Sequence, residues 1–354
     1  NFLIRASTVS SNRNSGIMLA FWDYSAALPN VPARIEDCLI EDNAGVNGGG
    51  VADAGGSGTD RSSGVQITRS IIRRNIASAY GGGIYFGYHR SPTIRNSVVE
   101  GNISAVNGGG IFLNSGWMSS CLVRRNIANA DGGGAAINEG VVRNSTIYEN
   151  EAAGTGGGTF YRGEIYNCII YFNKASRNLN TSGSSISYSC MTPLVAGSGN
   201  ISAPPAFAGY RNWRLVPGSP CIDAGNLWLS EDYYDLEGDP RIWGGSVDMG
   251  CDEFYLPALG GPLAIVVESS SDRAVVNAQV SFQCDVEGKP ESYVWHFSDG
   301  YTISNTPFVD RSFGTEGVHV ATVTAWNMDG VASNSVSVEI FPGYTNYVSP
   351  SGLH

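Results

Sequence analysis

A unit of about 24 residues recurs through the first half of the chain and constrains its fold more than any other feature. Each unit holds a short apolar segment that ends in asparagine, such as CLIEDN or STIYEN, and three glycines follow in five of the units. Repeats of this length indicate a solenoid, in which every repeat packs on its neighbours. The asparagines that align the units are Asn12, Asn43, Asn75, Asn102, Asn126, Asn150 and Asn173.

The aligned units keep one size class of side chain at fixed distances from the asparagine. Isoleucine or valine stands three residues before it in every unit. The alternation within each unit predicts short strands, and a constant size class predicts stacked coils about 4.8 Å apart. The pattern therefore predicts an all-β fold, a parallel β-helix. A serine or cysteine stands five residues before the asparagine, at Ser7, Cys38, Ser70, Ser97, Cys121, Ser145 and Cys168.

Two of these columns are expected to form structural ladders inside the solenoid. The small residues, among them Cys38, Cys121 and Cys168, should fill the narrow interior. The glycine triplets should form a corner, because glycine permits positive φ and close approach of backbones. The asparagines should turn inward and bond from coil to coil, in the left-handed backbone of a second corner; they are Asn43, Asn75, Asn102, Asn126, Asn150 and Asn173.

The residues two positions before the asparagines are expected to face solvent. Opposite charges on neighbouring strands stabilise their pairing, so we interpret this column as setting the register. A lyase or a glycoside hydrolase would need acids clustered on consecutive coils. Arginines interrupt the acids here, so we predict no catalytic residue. The column reads Glu41, Arg73, Glu100, Arg124, Tyr148 and Tyr171.

Net charge and cysteine usage exclude several classes of function. The net charge of −11 disfavours nucleic acid as a partner, because phosphates are bound by clusters of lysine and arginine. The longest apolar stretch is far too short for a membrane span. The seven cysteines include no CxxC pair and are expected to be mostly buried free thiols. Cys221 and Cys251 are the one pair that we suspect of bridging, and the sequence leaves that disulfide open.

The asparagine and glycine units resemble the right-handed β-helix repeats of bacterial secreted and surface proteins, including polymorphic-outer-membrane-protein-like chains. The segments NWRLVPGSPCIDAGN and DLEGDPRIWGGSVDMGCDEF resemble the ending that such β-helices carry. The resemblance implies coils over residues 1–207, a closing segment over 208–258, and an extracellular or cell-surface location.

Acidic residues gather in the expected closing segment. Asp235, Glu237 and Asp239 lie in DLEGD, which looks like part of a calcium loop. The twelve-residue spacing and the terminal glutamate of such a loop are missing. Turn and cap chemistry is therefore the favoured interpretation, structural calcium is the weaker one, and no other cofactor is expected.

A second domain follows a Pro/Gly linker at residues 259–262. The segments YVWHFSDG and HVATVTAWN resemble the PKD (polycystic-kidney-disease) domain, an immunoglobulin-like β-sandwich, over residues 263–341. The resemblance implies that Trp295 and Phe297 lie in the core. Ser298 and His319 stand where the family usually has glycine and an aromatic residue.

Two groups of apolar side chains are candidates for surface contacts. Alternation along VHVATVTAWN turns Val318, Val320 and Trp326 outward, either as an interface with a partner or against the β-helix of the same chain. Trp22 and Tyr24, in an insertion of an early coil, would either stack on a sugar or cover the edge of the solenoid.

Both ends of the chain resemble parts of a longer protein. Asn1 is not an initiator methionine, and YVSPSG, within the linker or new module at residues 342–354, resembles the opening of another β-helix. We therefore expect one segment of a tandem modular surface protein.

The leading hypothesis is a non-enzymatic extracellular structural or adhesive protein. It would self-associate end to end, through open β-helix ends or the PKD face, because unpaired strand edges seek partners. A glycan or a host cell surface is the further partner expected. The alternative is a secreted polysaccharide lyase, glycoside hydrolase or carbohydrate-binding module on a β-helix scaffold.

Overall fold

A computed structural model describes residues 3–20, 32–54, 64–87, 91–256 and 259–343. The regular structure in these ranges is almost entirely β. The chain forms two compact units, Asn1–Pro205 with Ser219–Tyr255, and Ala206–Gly218 with Leu256–His354. The candidate residues Trp22 and Tyr24 and the segment 344–354 lie outside the described residues.

The first unit is a parallel β-helix whose inner coils contribute strands to three sheets. The apolar segments before the asparagines form the second of these sheets, which has eight parallel strands. Its strands are Thr8–Ser10, Leu39–Glu41, Ile71–Arg73, Val98–Glu100, Leu122–Arg124, Thr146–Tyr148, Ile169–Tyr171 and Cys190–Met191.

The first sheet precedes the second in every coil and has thirteen strands in two columns. The strands Ile111–Ser119 and Ala135–Arg143 run through both columns. Earlier coils carry extra residues between the columns, which explains their longer spacing. The column after the glycines holds Ile17–Ala20, Val51–Ala54, Ile84–Phe86, Thr159–Phe160 and Thr181–Ser182, and the other holds Leu3–Arg5, Ala33–Glu36, Val65–Thr68, Thr93–Arg95, Glu164–Tyr166 and Ser185–Ser187.

The third sheet begins directly after the asparagines and has six short parallel strands. Inward side chains of the first and second sheets form one continuous apolar cluster. Ile40, Ile72 and Val99, for example, are fully buried and stacked in register. The strands of the third sheet are Ala44–Gly45, Ile76–Ala77, Ile103–Ser104, Ile127–Ala128, Glu151–Thr155 and Lys174–Arg177.

The second unit is a β-sandwich around Trp295 and Phe297, whose rings stack 5.7 Å apart in the core. His319 is half-buried and stacks on Phe313 at 4.2 Å, so the imidazole takes the place of the expected aromatic ring. A three-stranded sheet holds Ala264–Ser269, Gln279–Glu287 and Phe308–Ser312, and a five-stranded sheet holds Arg273–Val275, Gly330–Phe341, Gly317–Asn327, Ser292–Phe297 and Thr302–Ser304.

The structure divides the segment 208–258 that the sequence analysis kept together. Residues 206–218 belong to the second unit, because Ala208 and Val216 are fully buried in the sandwich core. The hydroxyl of Tyr293 also donates to the carbonyl of Phe207 at 2.8 Å. The remaining part, Ser219–Tyr255, stays with the β-helix and contains one short 3-10 helix, Leu227–Leu229. We call Ser219–Tyr255 the closing segment from here on.

Candidate functional site

The repeat asparagines form a hydrogen-bonded ladder through the solenoid. From Asn12 to Asn150, each Nδ2 donates to Oδ1 of the next asparagine at 2.8–3.0 Å. Each backbone N–H donates to the same oxygen, at 2.9–3.0 Å. The side chains from Asn43 to Asn150 are fully buried. The ladder thus satisfies polar groups that no water reaches.

The corner beside the ladder differs from the sequence analysis in one respect. The left-handed residue is not the asparagine but the residue before it, as at Asp42, Arg74 and Arg125, with φ of 57°, 53° and 54°. Because the chain turns at the residue before the asparagine, the asparagine side chain points inward and its backbone continues into the third sheet. The expectation of a left-handed asparagine was therefore wrong.

Sequence reasoning missed the last rung of the ladder. Asn173 donates to Oδ1 of Asn180 at 2.8 Å, although the two residues are only seven apart. Asn178-Leu179-Asn180 occupies the place of a glycine triplet, since the N–H groups of Gly156 and Gly158 bond the carbonyls of Asn178 and Asn180. The missing glycine triplet in this unit is the sequence signal that could have revealed this exception.

The glycine triplets form the predicted corner. The first glycine has positive φ in all five, as at Gly81 with 62°. The second admits no side chain, because a Cβ on Gly82 would lie 2.2 Å from the carbonyl oxygen of Gly109 on the next coil. Both reasons expected for glycine, positive φ and close backbone approach, are confirmed.

The serine and cysteine column forms a second ladder. The backbone N–H of Cys38 donates to Ser70 Oγ at 3.1 Å, and Cys121 and Cys168 repeat the contact with Ser145 and Ser189. Burial raises the pKa of the Cys121 and Cys168 thiols to about 12. They therefore stay protonated and unreactive at neutral pH.

All seven cysteines are buried free thiols. The suspected bridge between Cys221 and Cys251 was therefore wrong. A hydrogen bond with the thiol of Cys190, together with burial, raises the pKa of Cys221 instead. Cys251 is positioned by its backbone N–H, which donates to Thr146 Oγ1 at 3.0 Å.

The charged column beside the asparagines forms ion pairs between neighbouring coils. Arg73 Nε lies 2.8 Å from Glu41 Oε2, and Arg124 Nη2 lies 2.7 Å from Glu100 Oε2. Tyr148 and Tyr171 depart from the expectation that they face solvent, since both are buried. Each hydroxyl has a partner nearby: Tyr148 accepts from Arg124 at 3.1 Å, and Tyr171 donates to a backbone carbonyl at 3.2 Å.

The calcium candidate Asp235 is occupied by backbone groups. Its Oδ1 accepts the N–H groups of Glu237, Gly238 and Asp239 at 2.9 Å each, and its Oδ2 accepts that of Glu253 at 3.0 Å. Asp235 is fully buried, while the side chain of Glu237 is exposed. Within the described ranges, no group of three or more His, Cys, Asp or Glu residues is placed to hold a metal ion.

Further buried carboxylates hold the rest of the closing segment in the same way. Glu253 accepts the N–H groups of Trp243 and Asp248, and Asp248 accepts those of Asp223 and Phe254, at 2.7–3.0 Å. Desolvation raises the pKa of Asp248 to about 6 and that of Glu253 to about 8. Side-chain oxygens thus replace the strand pairing that this segment lacks.

Part of the closing segment runs along one corner of the β-helix, and we call residues Asn226–Asp235 the strap. Ser119 and Ser120 donate to the carboxylate of Asp232 at 3.2 and 3.0 Å, and Asn144 donates to it at 3.1 Å. The side chain of Asn167 bonds the backbone of Asn226: its Nδ2 donates to the carbonyl at 3.0 Å, and its Oδ1 accepts the N–H at 2.7 Å. The strap therefore fastens several coils together. Sequence reasoning missed it, although Asn and Ser replace the charged corner residues of earlier coils here.

The candidate interface of the second unit is only partly exposed. Val318 is 65 % exposed and Val320 is 36 % exposed, but Trp326 is half-buried. Ala321, Val323 and Ala325 alternate with these residues and are buried, as the pattern predicts. The outward face is therefore narrower than the sequence indicates.

Comparison with known families agrees with the architecture. Residues 264–340 match the PKD domain family. The chain is thus an all-β protein in which a parallel β-helix precedes a PKD domain, and the fold class predicted from the sequence is confirmed. No curated protein matches the chain. Nowhere in the described ranges is there a helix long and apolar enough to cross a membrane.

Proposed function

We propose that this protein is a non-enzymatic structural or adhesive element of an extracellular surface protein, whose coils join other coils end to end. PKD domains are common in extracellular surface proteins, which supports the location. The ladders support a rigid spacer, because every coil is fixed to the next by buried hydrogen bonds. The high pKa of the buried thiols is compatible with an oxidising environment, since thiols react as thiolates.

The pairing of the acidic side chains on the coils supports a role other than catalysis. Arginines lie against Asp37, Glu41, Asp42, Glu100 and Glu149 at 2.7–3.1 Å. Hydrogen bonds from these arginines lower the pKa of Asp37, Glu41 and Asp42. A general acid needs a raised pKa and access to substrate. The carboxylates of Asp37, Glu41 and Asp42 have lowered pKa values instead.

The observation that carries the end-to-end proposal is the first described coil. Thr8–Ser10 is the edge strand of the second sheet. The carbonyl of Ser7 accepts from the N–H of Leu39 on the next coil, and the N–H of Ser11 donates to the carbonyl of Glu41. Backbone groups alternate in direction along a strand, so the N–H and C=O groups of Thr8 point to the open side. Asn12 is exposed, and it presents the ladder geometry to another coil.

The Thr8→Pro substitution tests this proposal. Proline removes the Thr8 N–H, one of those that face the open side, and leaves the bonds to the next coil intact. We expect the 354-residue chain to form end-to-end assemblies at high concentration, and Thr8→Pro to stay monomeric. Sedimentation velocity and negative-stain microscopy measure this directly.

The matched control is Thr8→Ala, which keeps the N–H and should assemble like the unmodified chain. Monomers at every concentration for the unmodified chain, or equal assembly of Thr8→Pro and Thr8→Ala, would contradict the end-to-end proposal.

A further inference from the structure

The outer face of the first sheet carries aromatic side chains at two places along one strand. Phe112 lies 5.3 Å from both Tyr80 and Tyr85, measured between ring centroids, and 6.5 Å from Tyr161. Trp117 follows five residues later in the strand Ile111–Ser119 and is 46 % exposed. At about 3.3 Å per residue these two platforms lie at most roughly 16 Å apart, because the strand bends at Gly116, where φ is 103°.

Polar side chains lie between the two platforms. Asn138 Nδ2 donates to Asn114 Oδ1 on the neighbouring coil at 3.0 Å, and both residues are half-buried. An amide pair of this kind keeps three further N–H donors and further acceptor capacity for a ligand. The face is therefore apolar at its ends and hydrogen-bonding in the middle.

A narrow cleft of about 10 Å³, which admits one water-sized group, lies beside Trp117 between the first sheet and the strap. Arg95 and Arg143 line it from the coils on either side, and the strap contributes Glu231 and Asp232. Arg143 pairs with Glu231 at 2.5 Å.

The chemistry of this face matches a sugar chain. Indole and phenyl rings offer flat apolar surfaces to the C–H face of a pyranose. Hydroxyl groups donate and accept, so they suit a cleft that combines guanidinium donors with carboxylate acceptors. The carboxylates of Glu231 and Asp232 and the net charge of −11 oppose a polyanionic chain.

We propose that this face binds a linear neutral oligosaccharide of hexopyranose units, with one sugar ring on Trp117 and one of its hydroxyls in the cleft between Arg95 and Asp232. The chain would extend along the strand past Asn114 towards Phe112. The inference deepens the adhesive part of the proposed function by naming its ligand class, and it does not depend on end-to-end assembly.

Calorimetric titration of the 354-residue chain with neutral hexasaccharides tests this inference. The probes are cellohexaose, mannohexaose, laminarihexaose and maltohexaose, each taken to about 10 mM because weak glycan sites bind in the millimolar range. We expect saturable binding of at least one probe. Trp117→Ala should weaken it at least tenfold, and Arg95→Gln several-fold.

Trp228→Ala is the matched control, because Trp228 is 91 % exposed and does not line the cleft. It should bind within twofold of the unmodified chain, and equal melting curves should show that all variants fold. The inference is overturned if no neutral probe binds, if Trp117→Ala binds like Trp228→Ala, or if a hexagalacturonate binds more tightly than every neutral probe. Repeating the titration on Thr8→Pro, which keeps the cleft, separates this outcome from a failure of the assembly proposal.

Discussion

At the scale of residues, asparagine suits the ladder because its side chain donates and accepts in one plane. Asn126 shows the full set of bonds: its Oδ1 accepts from Asn102, and its Nδ2 donates to Asn150 and to the carbonyl of Val99. Serine would be too short to span the coils, and aspartate would bring charges together in the dry interior.

Removal of one rung should therefore destabilise the β-helix strongly. Asn126→Ala removes the acceptor of two buried N–H groups of Asn102 and one of the donors to Asn150 and to Val99, and each unsatisfied group costs about 1–3 kcal/mol. We expect the free energy of unfolding to fall by about 3 kcal/mol or more, measured by urea unfolding followed by circular dichroism.

Asn129→Ala is the control for this prediction. Asn129 is exposed on the same coil, and a surface change of this type alters stability by at most about 0.5 kcal/mol. Equal unfolding midpoints for the two variants would show that the ladder contributes nothing specific.

At the scale of elements, the closing segment is organised by buried carboxylates instead of by strands. Asp235, Asp248 and Glu253 accept backbone N–H groups, and the buried Arg241 donates Nη2 to the carbonyls of Asp248 and Gly250 at 2.7 Å. Desolvation is the largest cause of the raised pKa of each of the three acids. The stability of the closing segment should therefore depend on pH near neutrality.

The sign of that response follows from the direction of the shifts. Unfolded carboxyl groups titrate near about pH 4, so the folded state binds more protons than the unfolded state above that pH. The stabilisation is present at low pH and is lost as pH rises through about 6 for Asp248 and about 8 for Glu253. The arginine-paired acids of the coils have lowered pKa values, so their contribution to stability changes only at pH values below this range.

We therefore expect the stability of the closing segment to fall between about pH 5 and 9. Glu253→Gln should flatten the upper part of this dependence, whereas Glu237→Gln, at an exposed carboxyl group of the same segment, should keep it. Hydrogen exchange at the N–H groups of Trp243 and Asp248, corrected for intrinsic rates, measures the change. A stability that rises with pH in this window would refute the assignment.

At the scale of the whole molecule, each unit completes its core with residues distant in sequence. The sandwich includes Ala206–Gly218, and the β-helix includes the closing segment that follows those residues in the chain. Tyr293 illustrates the first case, since its buried hydroxyl donates to the carbonyl of Phe207. Asn212 adds a bond to the carbonyl of Gly288 at 3.0 Å.

Tyr293→Phe should lower the stability of the sandwich by about 1–2 kcal/mol, because the buried carbonyl of Phe207 loses a donor. Tyr301→Phe is the control, since Tyr301 is 39 % exposed and should lose little. Thermal unfolding monitored by tryptophan fluorescence compares the two variants. Equal melting temperatures would mean that Ala206–Gly218 is not energetically part of the sandwich.

The sequence by itself determined the coils, the inward columns and the glycine corners. These features depend on bonds between equivalent positions of successive units, so a regular period carries them. The sequence also predicted the PKD domain, because its alternating strands and the core around Trp295 are local sequence patterns.

Only the tertiary structure decided what covers the coils. The strap, the carboxylate contacts of Asp235 and Glu253, the burial of Tyr148 and the cleft beside Trp117 join residues far apart in the chain without any repeat. The repeat period of the sequence predicts which residues stack on each other. It carries no information about an irregular segment that folds back, because the partners of that segment are set by shape and hydrogen bonding in three dimensions.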